Sequence, residues 1–261
     1  MSKYTISLYL LFVVFIGWSQ RTPIDLQPKD TVQKTDRYGI RVGVDLSKII
    51  LTALDSAYTG FEIVGDYRLT PNLYLAAELG NEKKTKQEDL YNFTTSGSYL
   101  KLGVDYNTYE NWFGMSNLIH IGGRYAVSSF SQTLNNYQIF STERYFEDVA
   151  FANGSDIPEE FSSLNASWLE AVLGTKVELF SNIYLGASVR IGLLITNKED
   201  DRFPNLWIPG FNKVTDNSKF GTSYNYSLSY LIPLYKKKKI VRKKFVDEGA
   251  QQNQNPPPPK N

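Results

Sequence analysis

The sequence contains no cysteine and a single histidine, His120, among its 261 residues. The absence of cysteine excludes disulfide bridges, thiolate metal sites, a cysteine nucleophile and lipidation of an N-terminal cysteine. One histidine is too few for the usual zinc sites, whereas a carboxylate site for Mg²⁺ or Ca²⁺ stays open. No residue pattern calls for a cofactor, and we expect none.

The sequence also lacks a strong net charge and any apolar run long enough for a transmembrane helix. The formal net charge of +1 gives no reason to expect nucleic acid as a partner. Lys3, the apolar run from Leu8 to Ile16 and the small residues on either side of Trp18 predict a signal peptide at residues 1–19. The alternative, an N-terminal anchor, is disfavoured because a spanning helix needs roughly 17 to 25 residues. An exported chain without such helices can cross a membrane only with strands.

The clearest periodic pattern lies between Ser167 and Ile195. Apolar residues occupy alternate positions in two long segments, which are separated only by Ser181-Asn182. This period of two is typical of strands with one apolar face. Soluble strands are commonly about 5 to 6 residues long, whereas a tilted transmembrane strand needs roughly 9 to 11. The stretch therefore predicts a membrane β-hairpin.

The same alternation recurs along the chain and predicts an all-β fold of eight strands. A short amphipathic helical turn is predicted after the first strand, from Ile49, Ile50, Leu51 and Leu54, and is expected to pack over the strand ends. Short turns alternate with longer connections, including loops at 82–97, 128–165 and 197–218. This rhythm predicts an antiparallel up-and-down barrel with the long loops at one end and the short turns and both termini at the other. The predicted strands are 37–46, 60–69, 73–81, 98–106, 117–127, 167–180, 183–195 and 219–233.

Residue size indicates which face of this barrel points inward. An eight-stranded barrel has room inside only for a tightly filled layer of side chains, so its inner face must include small residues. Most strand glycines lie on the polar face of the alternation, with Gly65 and Gly123 as exceptions. We therefore expect apolar side chains outside and a salt-bridged, plugged lumen inside, since charges of both signs share the inner face. The predicted lumen network comprises Arg41, Asp45, Glu62, Asp66, Arg68, Glu78, Lys101, Asp105, His120, Arg124, Glu170, Lys176, Glu178 and Arg190.

Both ends of the chain are predicted to lie outside the barrel, which spans residues 37–235. Residues 20–36 form a flexible lead, and residues 236–261 form a tail that is first basic and then rich in proline and glutamine. Aromatic residues near strand ends predict an interfacial girdle of Tyr67, Tyr106, Trp112, Phe113, Phe180, Tyr230 and Tyr235. The candidate contacts with lipid head groups or a partner protein are Lys236, Lys237, Lys238, Lys239, Arg242, Lys243 and Lys244.

The signal segment ending in Ser19-Gln20, the eight strands and the stretch from Tyr67 to Gly80 resemble small outer-membrane β-barrel proteins of Bacteroidota, many of which have no assigned function. The resemblance covers roughly residues 37–235. It implies a transmembrane barrel in the cell outer membrane, in contact with its lipid, with extracellular long loops and periplasmic short turns and termini. Asp30-Thr31-Val32 and Asp55-Ser56-Ala57 resemble the short O-glycosylation sequon of that phylum.

No motif in the sequence identifies a catalytic site. His120 is expected to point into the lumen beside Arg124 as a structural residue, and the inward serines Ser188, Ser227 and Ser229 fit a filler role. The sequence therefore favours a non-enzymatic outer-membrane barrel whose loops or tail dock to another envelope component, such as the machinery for barrel assembly or surface export. Three alternatives remain open: a lipid-modifying barrel enzyme, a soluble lipocalin-like ligand carrier and a small-solute channel.

Overall fold

The computed structural model describes residues 35–109, 116–140, 151–214 and 219–238. Over these ranges the chain forms strands and one helix, and no helix is long and apolar enough to cross a membrane. In chain order the elements are β1 (Thr35–Asp45), α1 (Leu46–Leu54), β2 (Tyr58–Arg68), β3 (Leu73–Gln87), β4 (Tyr91–Asn107), β5 (Leu118–Phe140), β6 (Phe151–Ser155), β7 (Glu159–Phe180), β8 (Ile183–Lys198), β9 (Trp207–Ile208), β10 (Asn212–Lys213) and β11 (Phe220–Lys238).

Eight of the strands close into an antiparallel ring. Neighbours follow the order β1, β2, β3, β4, β5, β7, β8 and β11, and β11 pairs back with β1. The short strand β6 adds to the end of β5, beyond the part of β5 that pairs with β7. The predicted all-β class, the antiparallel pairing and the strand number are thus confirmed. Because the ring closes, each of its strands has a partner on both sides and the sheet has no long free edge.

Side-chain burial alternates along the ring strands, and below the level of Leu100 and Val127 the outward side chains are mostly apolar. Leu173, Val189 and Tyr226 are 59%, 60% and 50% exposed, whereas Glu170 and Arg190 are buried. This confirms the predicted orientation of the two faces. We call the outward aliphatic and aromatic side chains the apolar belt; they include Val42, Ile63, Leu79, Leu102, Ile121, Leu173, Val189 and Leu228.

Four strands on one side of the ring continue past the apolar belt as a polar wall. Leu100 of β4 pairs with Val127 of β5, and on the next outward rung Ser98 pairs with Ser129. We define the polar wall as the parts of β3, β4, β5 and β7 beyond this change. These strands are 15, 17, 23 and 22 residues long, whereas β1 and β2 have 11 each. The ring is therefore taller on one side than on the other.

Several predicted element limits are wrong in the polar wall. Residues 82–97, predicted as a loop, form the end of β3, a tight connection and the start of β4. Much of the predicted loop at 128–165 likewise belongs to β5, β6 and β7. The alternation in hydrophobicity needs one apolar and one polar face. On β3 both faces of the wall are polar, so the sequence pattern fades while backbone pairing continues.

At the opposite end β1 and β11 extend further than predicted. Thr35 to Arg37 pair with Lys236 to Lys238, so these three lysines belong to the last strand instead of the tail. Other predicted features lie outside the described residues: the signal peptide at 1–19, the lead up to Lys34, Asp30-Thr31-Val32, Trp112, Phe113, Lys239, Arg242, Lys243, Lys244 and the tail that follows Lys238.

Candidate functional site in the ring interior

Two ion pairs, one buried and one partly buried, cross the interior between strands on opposite sides of the ring. Arg190 Nη1 of β8 lies 2.6 Å from Glu78 Oε2 of β3. Lys176 Nζ of β7 lies 2.5 Å from Asp66 Oδ2 of β2. Asp66 also accepts a hydrogen bond from Arg41 Nε at 2.7 Å. Charge-assisted hydrogen bonds of this kind hold opposite walls at a fixed separation.

Further ion pairs link strands that are closer together in the ring. Lys101 Nζ lies 2.8 Å from Glu170 Oε1, which also accepts a hydrogen bond from the Trp168 indole at 2.7 Å. Arg124 donates to Asp105 at 2.9 Å and lies 3.4 Å from Glu78. In each of these pairs a buried charge has a neighbour of opposite sign, which is the condition under which charges are tolerated away from water.

Not every ionisable residue of the predicted network joins these ion pairs. Asp45 caps the N-terminus of α1, where Oδ1 accepts from the Ser47 amide at 2.7 Å. Arg68 and Glu178 lie towards the end with the short turns and bind Asp36 and Arg37. Glu62 accepts from the Tyr99 hydroxyl at 2.5 Å and from Asn225 at 3.2 Å, and within the described residues it reaches the ion pairs only through Arg190 Nη1 at 3.9 Å.

One buried carboxylate was missed by sequence reasoning. Glu82 is fully buried and binds Lys48 of α1 through Oε1, while its Oε2 accepts from the Gly210 amide at 3.2 Å. The sequence pattern placed Glu82 in a charged loop because the alternation ends beside it. Its position two residues after Gly80, on the same parity as Glu78, was the available signal for an inward side chain.

His120 lies in this interior and is 3% exposed. Its Nε2 is 3.8 Å from Asp105 Oδ2, and its Nδ1 has no hydrogen-bond partner. The side chain lines a cavity of about 30 Å³, together with Arg190, Lys176, Ser188 and Ser227. A space of this size holds one or two water molecules, because a single water needs about 10 to 15 Å³ of such volume. The cavity is too small for an organic ligand.

Stacked cations and tyrosines fill the interior near the short turns. The Arg41 guanidinium carbon lies 5.0 Å from the ring centroids of both Tyr74 and Tyr184. Arg68 lies 4.6 Å above the ring of Tyr38, which is itself buried. Cation–π contacts of this kind are favourable, and they hold the tyrosine rings inside the lumen. This end of the ring is closed by side chains.

The other end is closed by the segment 203–214, which we call the plug. Ile208 and Phe211 are buried, and the Phe211 ring meets Trp168 edge-on with centroids 5.5 Å apart. The Gly210 carbonyl accepts from Lys101 Nζ at 3.1 Å. Gln132 holds the start of the plug by donating to the Pro204 carbonyl and accepting from the Leu206 amide.

The inward fold of the plug differs from the prediction of a long loop at 197–218. Its acidic start at Glu199-Asp200-Asp201 fits that interpretation. At Asp200, hydrogen bonds from the Arg202 backbone amide and then from its guanidinium lower the pKa of the carboxyl. The signal for an inward segment was the apolar run from Trp207 to Phe211, interrupted by Pro209-Gly210, in otherwise polar surroundings.

Replacing Gly210 with valine is expected to expel the plug from the ring. Gly210 has φ +83, and a Cβ there would lie 2.6 Å from the Tyr99 ring, so both the backbone and the space oppose a side chain. Chymotrypsin should then cleave after Phe211, which the wild-type fold buries. Gly65→Val is the matched control, because an added Cβ at this position has no neighbour closer than 3.4 Å. Equal protection of Phe211 from chymotrypsin in both variants would contradict the role of Gly210 in keeping the plug inside the ring.

The interior is thus filled by a network of ion pairs and, next to the plug, by a cluster of buried apolar side chains. No group of three or more His, Asp or Glu side chains within the described ranges is arranged to hold a metal ion. The cavity beside His120 is water-sized, and paired charges, stacked tyrosines and the plug fill the space around it, so this arrangement favours a structural role for the predicted network over ligand binding.

Comparisons with known proteins give a family without a described activity. No curated protein and no solved structure matches the chain. One family model matches residues 1–237, and it is described as a domain of unknown function, DUF6048. The chain therefore belongs to the DUF6048 family.

Proposed function

We propose that the protein is a non-enzymatic transmembrane β-barrel of the outer membrane, and that it serves as a structural or accessory subunit of another envelope component. The observation that carries the proposal is the apolar belt on the outside of the closed ring. Burial of an aliphatic side chain is worth about 1.5 to 3 kcal/mol, so exposure of the whole belt to water would be very unfavourable. Soluble monomers rarely expose apolar patches larger than a few hundred Å².

The distribution of outward residues supports a defined position in the bilayer. On β4 the outward apolar positions extend from Tyr106 back to Leu100. The next outward residue is Ser98, where the polar wall begins. An outward apolar band about 25 Å tall with aromatic residues at its edges is typical of outer-membrane barrels. The polar wall would then project outside the cell, and the short turns at 69–72 and 181–182 would face the periplasm.

The closed interior argues against two of the alternatives. A small-solute channel needs a continuous polar path, whereas the plug and the stacked tyrosines close both ends of the ring. A lipocalin-like carrier needs an open apolar cavity, whereas the buried apolar side chains of the ring pack against one another and against the plug. For the enzyme alternative, His120 is buried and lines only a water-sized cavity, so it has no space for a lipid substrate.

Two exposed regions outside the apolar belt are candidates for docking to another envelope protein. The tip of the polar wall carries exposed apolar side chains at Leu90, Tyr137, Ile139 and Ile157. At the opposite end, Lys236 and Lys237 are exposed on β11. A basic strand end beside the membrane can also bind acidic lipid head groups.

Affinity capture from detergent-solubilised outer membranes tests the docking proposal. We expect a partner that the full chain retains and that is lost in one of two variants: Lys236→Ser/Lys237→Ser at the end of β11, or Ile139→Ser/Ile157→Ser at the tip of the wall. Each variant is the control for the other, since both leave the paired ring strands intact. A chain that elutes without any partner, both in mild detergent and after chemical crosslinking in intact cells, would contradict the accessory-subunit role.

A further inference from the structure

The helix α1 is amphipathic, but its apolar side faces outward and its polar side faces the ring. Ile50 and Leu54 are 51% and 80% exposed, and Ile49 is also exposed, whereas Ser47 is buried. A surface helix of a water-soluble domain normally buries its apolar stripe and exposes its polar side. The helix lies against β2 and β11, over the strand ends as predicted, but Ile49, Ile50 and Leu54 face outward. The helix therefore exposes apolar side chains, as the strands of the ring do in the apolar belt.

Three polar contacts fix this orientation. Asp45 caps the first turn through the Ser47 amide. Lys48 reaches the buried carboxylate of Glu82. The Thr52 hydroxyl accepts from the Gly60 amide at 2.9 Å and thereby ties the last turn to β2. Because the polar face is held by these bonds, the apolar face cannot turn inward without leaving a buried carboxylate unpaired.

The apolar face of α1 continues the apolar belt. The helix starts directly after β1, whose last outward apolar residue is Val44, and the chain enters β2 shortly before the exposed Phe61. This is the low side of the ring, where β1 and β2 have only 11 residues each and no polar wall rises above the belt. An apolar environment that surrounds Val42, Phe61 and Ile63 would therefore also surround the apolar face of α1.

We propose that Ile49, Ile50 and Leu54 of α1 insert into the lipid of the extracellular leaflet, at the boundary between head groups and acyl chains. This inference rests on the proposed function, because it takes the apolar belt to be surrounded by lipid. Apolar faces of amphipathic helices lie in this boundary roughly 5 to 10 Å deep. The short side of the ring is then anchored by the helix, whereas the tall side projects the polar wall into water.

Site-directed spin labelling tests the position of the helix. The chain has no cysteine, so each single-cysteine variant carries one nitroxide label. Ile50→Cys is compared with Leu173→Cys in the apolar belt and with Lys83→Cys on the outward face of the polar wall, each reconstituted in phospholipid vesicles. Collision rates with oxygen, which partitions into lipid, and with a water-soluble nickel chelate are measured by power saturation. Circular dichroism checks that each variant keeps its strand content.

At position 50 we expect the ratio of oxygen to nickel collisions to lie below that at position 173, which is deeper in the bilayer, and to exceed that at position 83 several-fold. A ratio at 50 equal to that at 83, with 173 still in lipid, overturns the inference and leaves the proposed function intact. Nickel access at 173 overturns the proposed function itself. Protection of position 50 from both reagents would mean that a protein surface covers the helix, and would also overturn the lipid assignment.

Discussion

Replacing Arg190 with methionine is expected to lower the free energy of unfolding by about 3 to 5 kcal/mol, which is typical when one partner of a buried ion pair is removed. Arg190 binds Glu78 across the ring and lies 3.9 Å from Glu62 and 4.0 Å from Glu170. The variant leaves these carboxylates close together without their shared cation. Urea unfolding of the protein in detergent micelles, followed by circular dichroism, measures the change.

Arg202→Met is the matched control for this prediction. Arg202 also pairs with two carboxylates, Glu159 and Asp200, but its side chain is 64% exposed. Exposed ion pairs contribute little to stability, so we expect almost no change. The double variant Arg190→Met/Glu78→Met should recover part of the loss, because it removes one unpaired carboxylate. Similar effects of Arg190→Met and Arg202→Met would show that the cross-ring bridge is not what holds the walls together.

Replacing Leu173 with arginine is expected to weaken folding into lipid vesicles by about 2 to 4 kcal/mol, the cost of a lipid-facing arginine near the bilayer midplane. Leu173 lies in the apolar belt, paired with Ile121 and Val189, which are also exposed and apolar. The prediction follows from the proposed function, since only a lipid environment makes this charge unfavourable. Urea-dependent folding into phosphatidylcholine vesicles measures the change.

Asn165→Arg provides the control on the same strand. Asn165 is exposed on the polar wall of β7, where the proposal places water, and we expect the substitution to change folding by only a few tenths of a kcal/mol, as is usual for surface substitutions. A protein that was stable and soluble without detergent, and that tolerated both arginines equally, would contradict the membrane proposal.

The apolar alternation in the sequence predicted the ring strands well only where one face is apolar. The segments around Leu173 and Val189 were assigned to strands correctly for this reason. In the polar wall, Lys83 and Glu82 are both polar, and the sequence contains no periodic signal for the pairing of β3 with β4. Backbone hydrogen bonds between neighbouring strands sustain the wall, and these bonds do not depend on side-chain polarity.

The sequence likewise predicted some features of the candidate site and not others. Glycine positions and mixed charges were enough to predict that Glu78, Arg124 and Arg190 share the interior. Which residues pair was not predictable, because Arg190 and Glu78 are 112 positions apart and meet only when the ring closes. Glu82 and the plug were missed because their contacts, from Gly210 and Lys48, come from segments that fold back into the ring.

The sequence by itself determined the strand class, the number of strands and the side that faces outward, since all three follow from local periodicity and residue size. Only the tertiary structure decided the ion pairs, the closure of both ends and the inverted orientation of α1. These features depend on contacts between residues far apart in the chain. Ring closure fixes such distances, and no local pattern records them.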